Sequence, residues 1–199
     1  MDDLEELDRL ISEQRNVRSI GLDKLDVEDI LRLINDEDKK VAYAVEREIP
    51  NIAKAVEACL HSLKNGGRVF YVGAGTSGRL AVIDRAELLS TFNVDPRRIV
   101  AILAGGFKAM YGPSEMAEDR ESNGVKVIAK YKVREVDTVL GISASGRTPY
   151  VVGALKEAKK RGATTVAITV NPNAKTLKYA DIAICTIVGP EVIAGSTRM

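Results

Sequence analysis

Beyond Gly66-Gly67 the chain settles into one rhythm: short apolar runs at 69–72, 99–103, 138–142, 165–170 and 182–187, separated by amphipathic stretches. Each run is too short for a buried helix and lacks polar residues at alternate positions. It therefore reads as a strand covered on both faces. The stretches between them, around 77–90, 113–131, 149–161 and 174–180, carry helical spacing. Such alternation predicts an α/β fold, a doubly wound five-stranded parallel sheet with helices on both faces. Sheets of this kind bind ligands in the crevice beyond the carboxyl ends of their strands, so function is expected in the loops there.

Residues 1–64 hold no strand signal. Leu4, Leu7, Leu10 and Ile11 recur at helical spacing, and Asp26 stands where it can cap a helix through Ile30, Leu31 and Ile34. From 39 to 63, Val41, Ala44, Val45, Ile49, Ile52, Val56 and Leu60 form one broad apolar face, which Pro50 bends or restarts. The expected organisation is an N-terminal helical segment, 1–64, followed by an α/β domain, 65–199.

Charge and composition exclude several classes. A net charge of +1 from 29 Lys and Arg against 28 Asp and Glu provides no basic field for nucleic acid. No apolar run approaches the roughly 18 residues of a membrane span, and the acidic start MDDLEELDRL is unlike a signal peptide. A cytoplasmic protein without membrane or nucleic-acid partners is expected. Cys59 and Cys185 lack CxxC spacing and nearby histidine, so they read as buried free thiols. His61, the sole histidine, falls in the helical segment, away from the strand-end loops. No metal and no cofactor are expected, since no His, Cys or Asp set has ligand spacing.

The first strand runs into GAGTSGR at 73–79, a glycine-rich turn that opens a helix and offers backbone N–H groups to an anion. Read as GxGxxG it suggests a dinucleotide site. That reading needs an acid at the end of the second strand, where this chain has Leu103-Ala104-Gly105-Gly106. A P-loop would need Lys followed by Ser or Thr after the glycines, and there is none. The third strand runs into SASGRTP at 143–149, with Pro149 suited to the first turn of the next helix. Two hydroxyl-rich loops after neighbouring strands favour a phosphosugar ligand over simple helix capping.

GAGTSGR at 73–79 and SASGRTPYV at 143–151 resemble the sugar isomerase (SIS) domain, in its N-acetylmuramic acid 6-phosphate etherase branch. Also similar are INDEDK at 34–39, AVER at 44–47, AGG at 104–106, AED at 117–119, VGPEV at 188–192 and GSTRM at 195–199. The likeness extends from about residue 10 to the last residue. Related glucokinase regulatory proteins share these motifs and bind phosphosugars without turnover, so a non-catalytic regulatory domain is the alternative reading.

The resemblance implies a lyase that removes D-lactate from carbon 3 of a phosphorylated amino sugar by elimination and then adds water. It places the two catalytic carboxylates at Glu87, as proton donor, and Glu118, as its partner. It places phosphate and substrate contacts at Gly75, Thr76, Ser77, Ser143, Ser145, Gly146, Thr148, Ser196 and Thr197. It also implies a homodimer. A continuous helix from Ser77 would carry Glu87 ~15 Å along the axis from the phosphate loop, so either the helix breaks early or the site is completed by a neighbouring subunit, and the second is expected. Two departures stand out. The family usually has Ser-Glu-Cys-Pro-Pro-Thr around the first glutamate, whereas this chain has AELLST at 86–91, without helix-breaking prolines. Family members also continue beyond the position of Met199 through a long helix, which Ser196 and Thr197 would cap. A piece of a longer chain and a short natural form both fit.

Overall fold

The computed structural model describes residues 10–112 and 116–195. All five expected strands are present: β1 (Val69–Gly73), β2 (Ile99–Leu103), β3 (Thr138–Ile142), β4 (Thr164–Thr169) and β5 (Ile182–Cys185). They pair in parallel in the order β2-β1-β3-β4-β5. Among the described residues four α-helices accompany them: α1 (Val27–Lys64), α2 (Gly75–Phe92), α3 (Glu121–Lys130) and α4 (Pro149–Lys160).

Alternation along the strands sends neighbouring side chains to opposite faces. Phe70, Val72, Val139 and Ala167 pack against Ile128 of α3 and Val151, Ala154 and Leu155 of α4. On the other face, Val69, Leu140, Val166 and Ile184 meet Ile52, Ala55 and Cys59 of α1 and Leu88 of α2. The inner strands β1, β3 and β4 are thus covered on both sides, which explains their unbroken apolar sequences, while Ala183 of the edge strand β5 stays exposed.

Asp26 caps α1, accepting a hydrogen bond from the Asp29 amide at 2.9 Å. The helix then continues through Pro50 to Lys64 without restarting. Its broad apolar face is divided. Ala44 and Ala55 are buried, whereas Val45, Ile49, Val56 and Leu60 stay exposed.

Three expected helical stretches are shorter than their sequences suggested. Residues 11–24 form three single 3-10 turns, because Gly21 adopts φ +80° and Asn16 turns its side chain onto the Arg18 amide. Among the described residues of the 113–131 stretch, α-helix begins at Glu121. Residues 174–180 yield a 3-10 turn, Lys175–Tyr179. The leucines at 4 and 7 lie outside the described residues. Among the described residues no helix is long and apolar enough to cross a membrane.

Candidate functional site

With β1 flanked by β2 and β3, the chain leaves β1 and β3 in opposite directions. This is the topological switch point where doubly wound sheets take ligands. The two hydroxylated loops therefore end adjacent strands.

In the first loop α2 starts at Gly75, with Ala74 as an N-cap that supplies no side-chain acceptor. The first-turn N–H groups around Gly75, Thr76 and Ser77 are thus left to water or an anion. Gly78 serves packing. A Cβ there would lie 2.5 Å from Leu103 Cδ1 and 2.7 Å from the Gly73 carbonyl oxygen, so glycine lets the helix seat on the strand end. Arg79 donates to the carbonyls of Ala109 at 2.8 Å and Gly112 at 3.2 Å, bracing the 3-10 turn Gly106–Met110.

The second loop is wound around Ser143. Its buried hydroxyl lies 2.9 Å from Thr148 Oγ1 and accepts the Gly146 amide at 3.1 Å, so it builds the turn from within. Ser145 Oγ accepts the Arg147 amide at 3.2 Å. Gly146 sits at φ +65°, and a Cβ there would fall 2.1 Å from the Ala174 methyl. No other residue type suits both the conformation and the space.

Beside this loop opens a cleft of about 450 Å³. Ser145 and Thr148 supply hydroxyls, Arg147 and Lys175 cations, and Glu13, Glu118 and Asp119 carboxylates. Glu118 is not helical as its spacing suggested. It belongs to a turn ahead of α3, entered through Met116 at φ +60°. Its carbonyl accepts the Tyr150 amide at 3.0 Å, which ties the turn to the start of α4. Burial, with a lesser contribution from Tyr131, pushes the Tyr150 phenol up to about 12.

Glu87 does not reach this cleft. Helix α2 runs unbroken to Phe92 and carries Glu87 on its exposed side. Leu80 and Ile83, 59% and 53% exposed, lie on the same stripe at helical spacing. Gly75, Thr76 and Ser77 border the neighbouring strand end without lining the cleft. Ser196 and Thr197 lie outside the described residues.

The family model of the SIS domain matches residues 35–170, from within α1 to the end of β4. The chain belongs to the SIS domain family. Among curated proteins it is 50% identical over 193 residues to N-acetylmuramic acid 6-phosphate etherase 1 of Bacillus licheniformis, covering 97% of this chain and 64% of that one. The N-acetylmuramic acid 6-phosphate etherase of Symbiobacterium thermophilum is 48% identical, covering 98% and 64%. The chain therefore spans somewhat under two thirds of the length of these relatives. Among solved structures it is similar in fold to the phosphoheptose isomerase GmhA of Neisseria gonorrhoeae, with TM-score 0.61, 19% identity and coverage of 80% and 85%. A phosphoheptose isomerase from Francisella tularensis gives TM-score 0.60 and 19% identity, covering 81% and 85%.

In this SIS domain several cleft residues escape sequence reasoning. Arg147 and Lys175 follow strand ends, a position that is itself a signal. Glu13 has no such signal, because its place depends on a contact between Ser12 and Asn171, 159 positions apart. The two thiols, Cys59 and Cys185, are free but only half-buried. Burial raises both, with the Glu48 charge adding to the effect at Cys185. His61 is exposed near the end of α1, at the opposite ends of the strands from the cleft.

Proposed function

We propose that this chain carries the phosphosugar-binding and lyase machinery of an N-acetylmuramic acid 6-phosphate etherase. The observation that carries the reading is the 48–50% identity to curated etherases along nearly the whole chain, together with a carboxylate, Glu118, in a cleft walled by loop hydroxyls and two cations. The phosphate is taken at the Ser145–Thr148 side with Arg147 and Lys175. Glu118 takes the proton on carbon 2 as the carbon 3–oxygen bond breaks, and the departing lactate oxygen receives a proton from an acid. Water then adds across the resulting double bond, a sequence that needs an acid and a base together. Neither role calls for a metal or a cofactor.

Glu87 enters as the proton donor from a second copy. On α2 it stands beside exposed Leu80 and Ile83, and α1 exposes Val45, Ile49, Val56 and Leu60, surfaces suited to burial in a homodimer. The protein is assigned to the cytoplasm, where its phosphorylated amino sugar would be found. The second reading, a non-catalytic phosphosugar sensor, is favoured by the unbroken helix that holds Glu87 away from the cleft of its own chain.

The deciding experiment is D-lactate release from N-acetylmuramic acid 6-phosphate by the 199-residue chain, with Glu87→Gln and Glu118→Gln alongside. Release that depends on both glutamates supports the lyase. Sugar phosphate binding without release supports the sensor.

A further inference from the structure

The N-terminal strap, residues 10–21, is fastened across the carboxyl end of the sheet by a buried polar chain whose polarity can be deduced. Asn171, 1% exposed, follows β4, and its Nδ2 lies 3.0 Å from the Ala144 carbonyl and 3.0 Å from Ser12 Oγ. The Ala144 carbonyl only accepts, so the amide nitrogen must face it. Asn171 Oδ1 is then left to accept the Ser12 backbone N–H, at 3.3 Å. The second Nδ2 hydrogen goes to Ser12 Oγ, which already receives it as an acceptor and must send its own proton elsewhere. That proton is donated to Glu13 Oε1, at 3.1 Å. The chain begins at Ala144, between Ser143 and Ser145, so the hydroxylated loop orients Glu13.

Glu13 is itself exposed and lines the cleft with Ser145, Thr148, Arg147 and Lys175. A buried amide and hydroxyl fixed so completely are more than an exposed carboxylate needs for solubility. An anion repels phosphate, so Glu13 cannot share the phosphate end of a ligand. A carboxylate with one oxygen held retains lone pairs that accept from a neutral donor. We propose that Glu13 is a specificity-determining residue that accepts a hydrogen bond from a sugar hydroxyl and not from the phosphate. The proposal rests on the phosphosugar reading of the cleft. Ser12 and Asn171 are positioning residues acting through Glu13.

The test is calorimetric titration of the purified chain and of Glu13→Gln with two probes, N-acetylglucosamine 6-phosphate and inorganic phosphate. A hydrogen bond to a charged acceptor predicts a loss of ~10-fold or more for the sugar phosphate in Glu13→Gln, with inorganic phosphate bound as well or better. Glu13→Asp, which keeps the charge but shortens the reach, gives an intermediate loss, and Ser12→Ala a loss of a few-fold. Sugar phosphate affinity in Glu13→Gln within twofold of native would overturn the proposal while leaving the phosphosugar reading intact. Equal losses for both probes would also overturn it, since they would mean that the strap only props the phosphate loop. An unmutated chain that binds no sugar phosphate would sink the underlying reading instead.

Discussion

The amide of Tyr150 donates to the carbonyl of Glu118 at 3.0 Å, so the turn carrying the proposed catalytic carboxylate satisfies an otherwise orphan donor in the first turn of α4. The same helix begins directly after the loop holding Ser145 and Thr148. The start of α4 therefore touches both the turn that carries the carboxylate and the loop that carries the hydroxyls. Its own position is fixed by contact with α3, where a Cβ at Gly124 would lie 2.0 Å from the Tyr150 carbonyl oxygen and one at Gly153 would lie 2.1 Å from that of Glu121.

Gly124→Ala should consequently act at a distance. The added methyl meets backbone, which cannot rotate aside, so the helices must separate at a cost of about 1–3 kcal/mol or more. Urea denaturation should report a lower midpoint. Lactate release should fall further than sugar phosphate affinity, because the Glu118 turn shifts with α3 while the hydroxylated loop stays on β3. An unchanged midpoint would mean that the helix contact is looser than its geometry.

Glu118→Gln isolates the chemical role from the positional one, since the carbonyl that holds Tyr150 is retained. General acid–base catalysis contributes about 10²–10⁴-fold, and a loss of that size in turnover is expected with affinity for N-acetylglucosamine 6-phosphate nearly unchanged. Retained turnover would remove Glu118 from the proton-transfer role.

Ile83 tests the assembly. Ile83→Arg places a charge on the stripe that also bears Glu87, and sedimentation should then detect a monomer. Turnover should be lost with the second subunit, whereas sugar phosphate affinity, set by the cleft of one chain, should persist. A monomeric variant with full activity would mean that Glu87 of a second copy is dispensable.

The sheet was legible because its strands are buried on both faces, so 99–103 and 138–142 announce themselves without context. The helix at Gly75 was legible for a related reason, as a strand, a glycine turn and helical spacing follow in order. The strap was not. Its 3-10 turns are held by Asn16 to the Pro190 carbonyl and by Ser12 to Asn171, partners 174 and 159 positions away, and local spacing carries no trace of them. Glu118 was misplaced on a helix because Met116 at φ +60° delays α3 to Glu121, a turn that local propensity does not encode. At Glu87 the sequence leaves open whether the helix breaks; with no proline between 88 and 92 it runs unbroken to Phe92.

Glu37 makes the strap sensitive to acid. It is 3% exposed, with Arg18 Nη1 at 2.6 Å and Lys40 Nζ at 2.7 Å. Burial alone would raise its carboxyl, but hydrogen bonds from Lys40, Arg18 and Asn16 outweigh that and hold it below its ordinary 4.5. A depressed carboxylate lends its stabilisation fully above the unfolded value and loses it as pH falls through the folded one. Arg18 links Glu37 to the strap, so the strap should stay fastened at neutral pH and loosen below about pH 4.5. Hydrogen exchange, expressed as protection factors for residues 11–19 between pH 6 and pH 3, should fall in that window. In Glu37→Gln protection should be weaker at pH 6 and nearly flat with pH. If the native strap loses no protection in acid while the rest of the fold holds, the Arg18–Glu37 pair is not what fastens it, and the Asn16–Pro190 and Ser12–Asn171 contacts must do so.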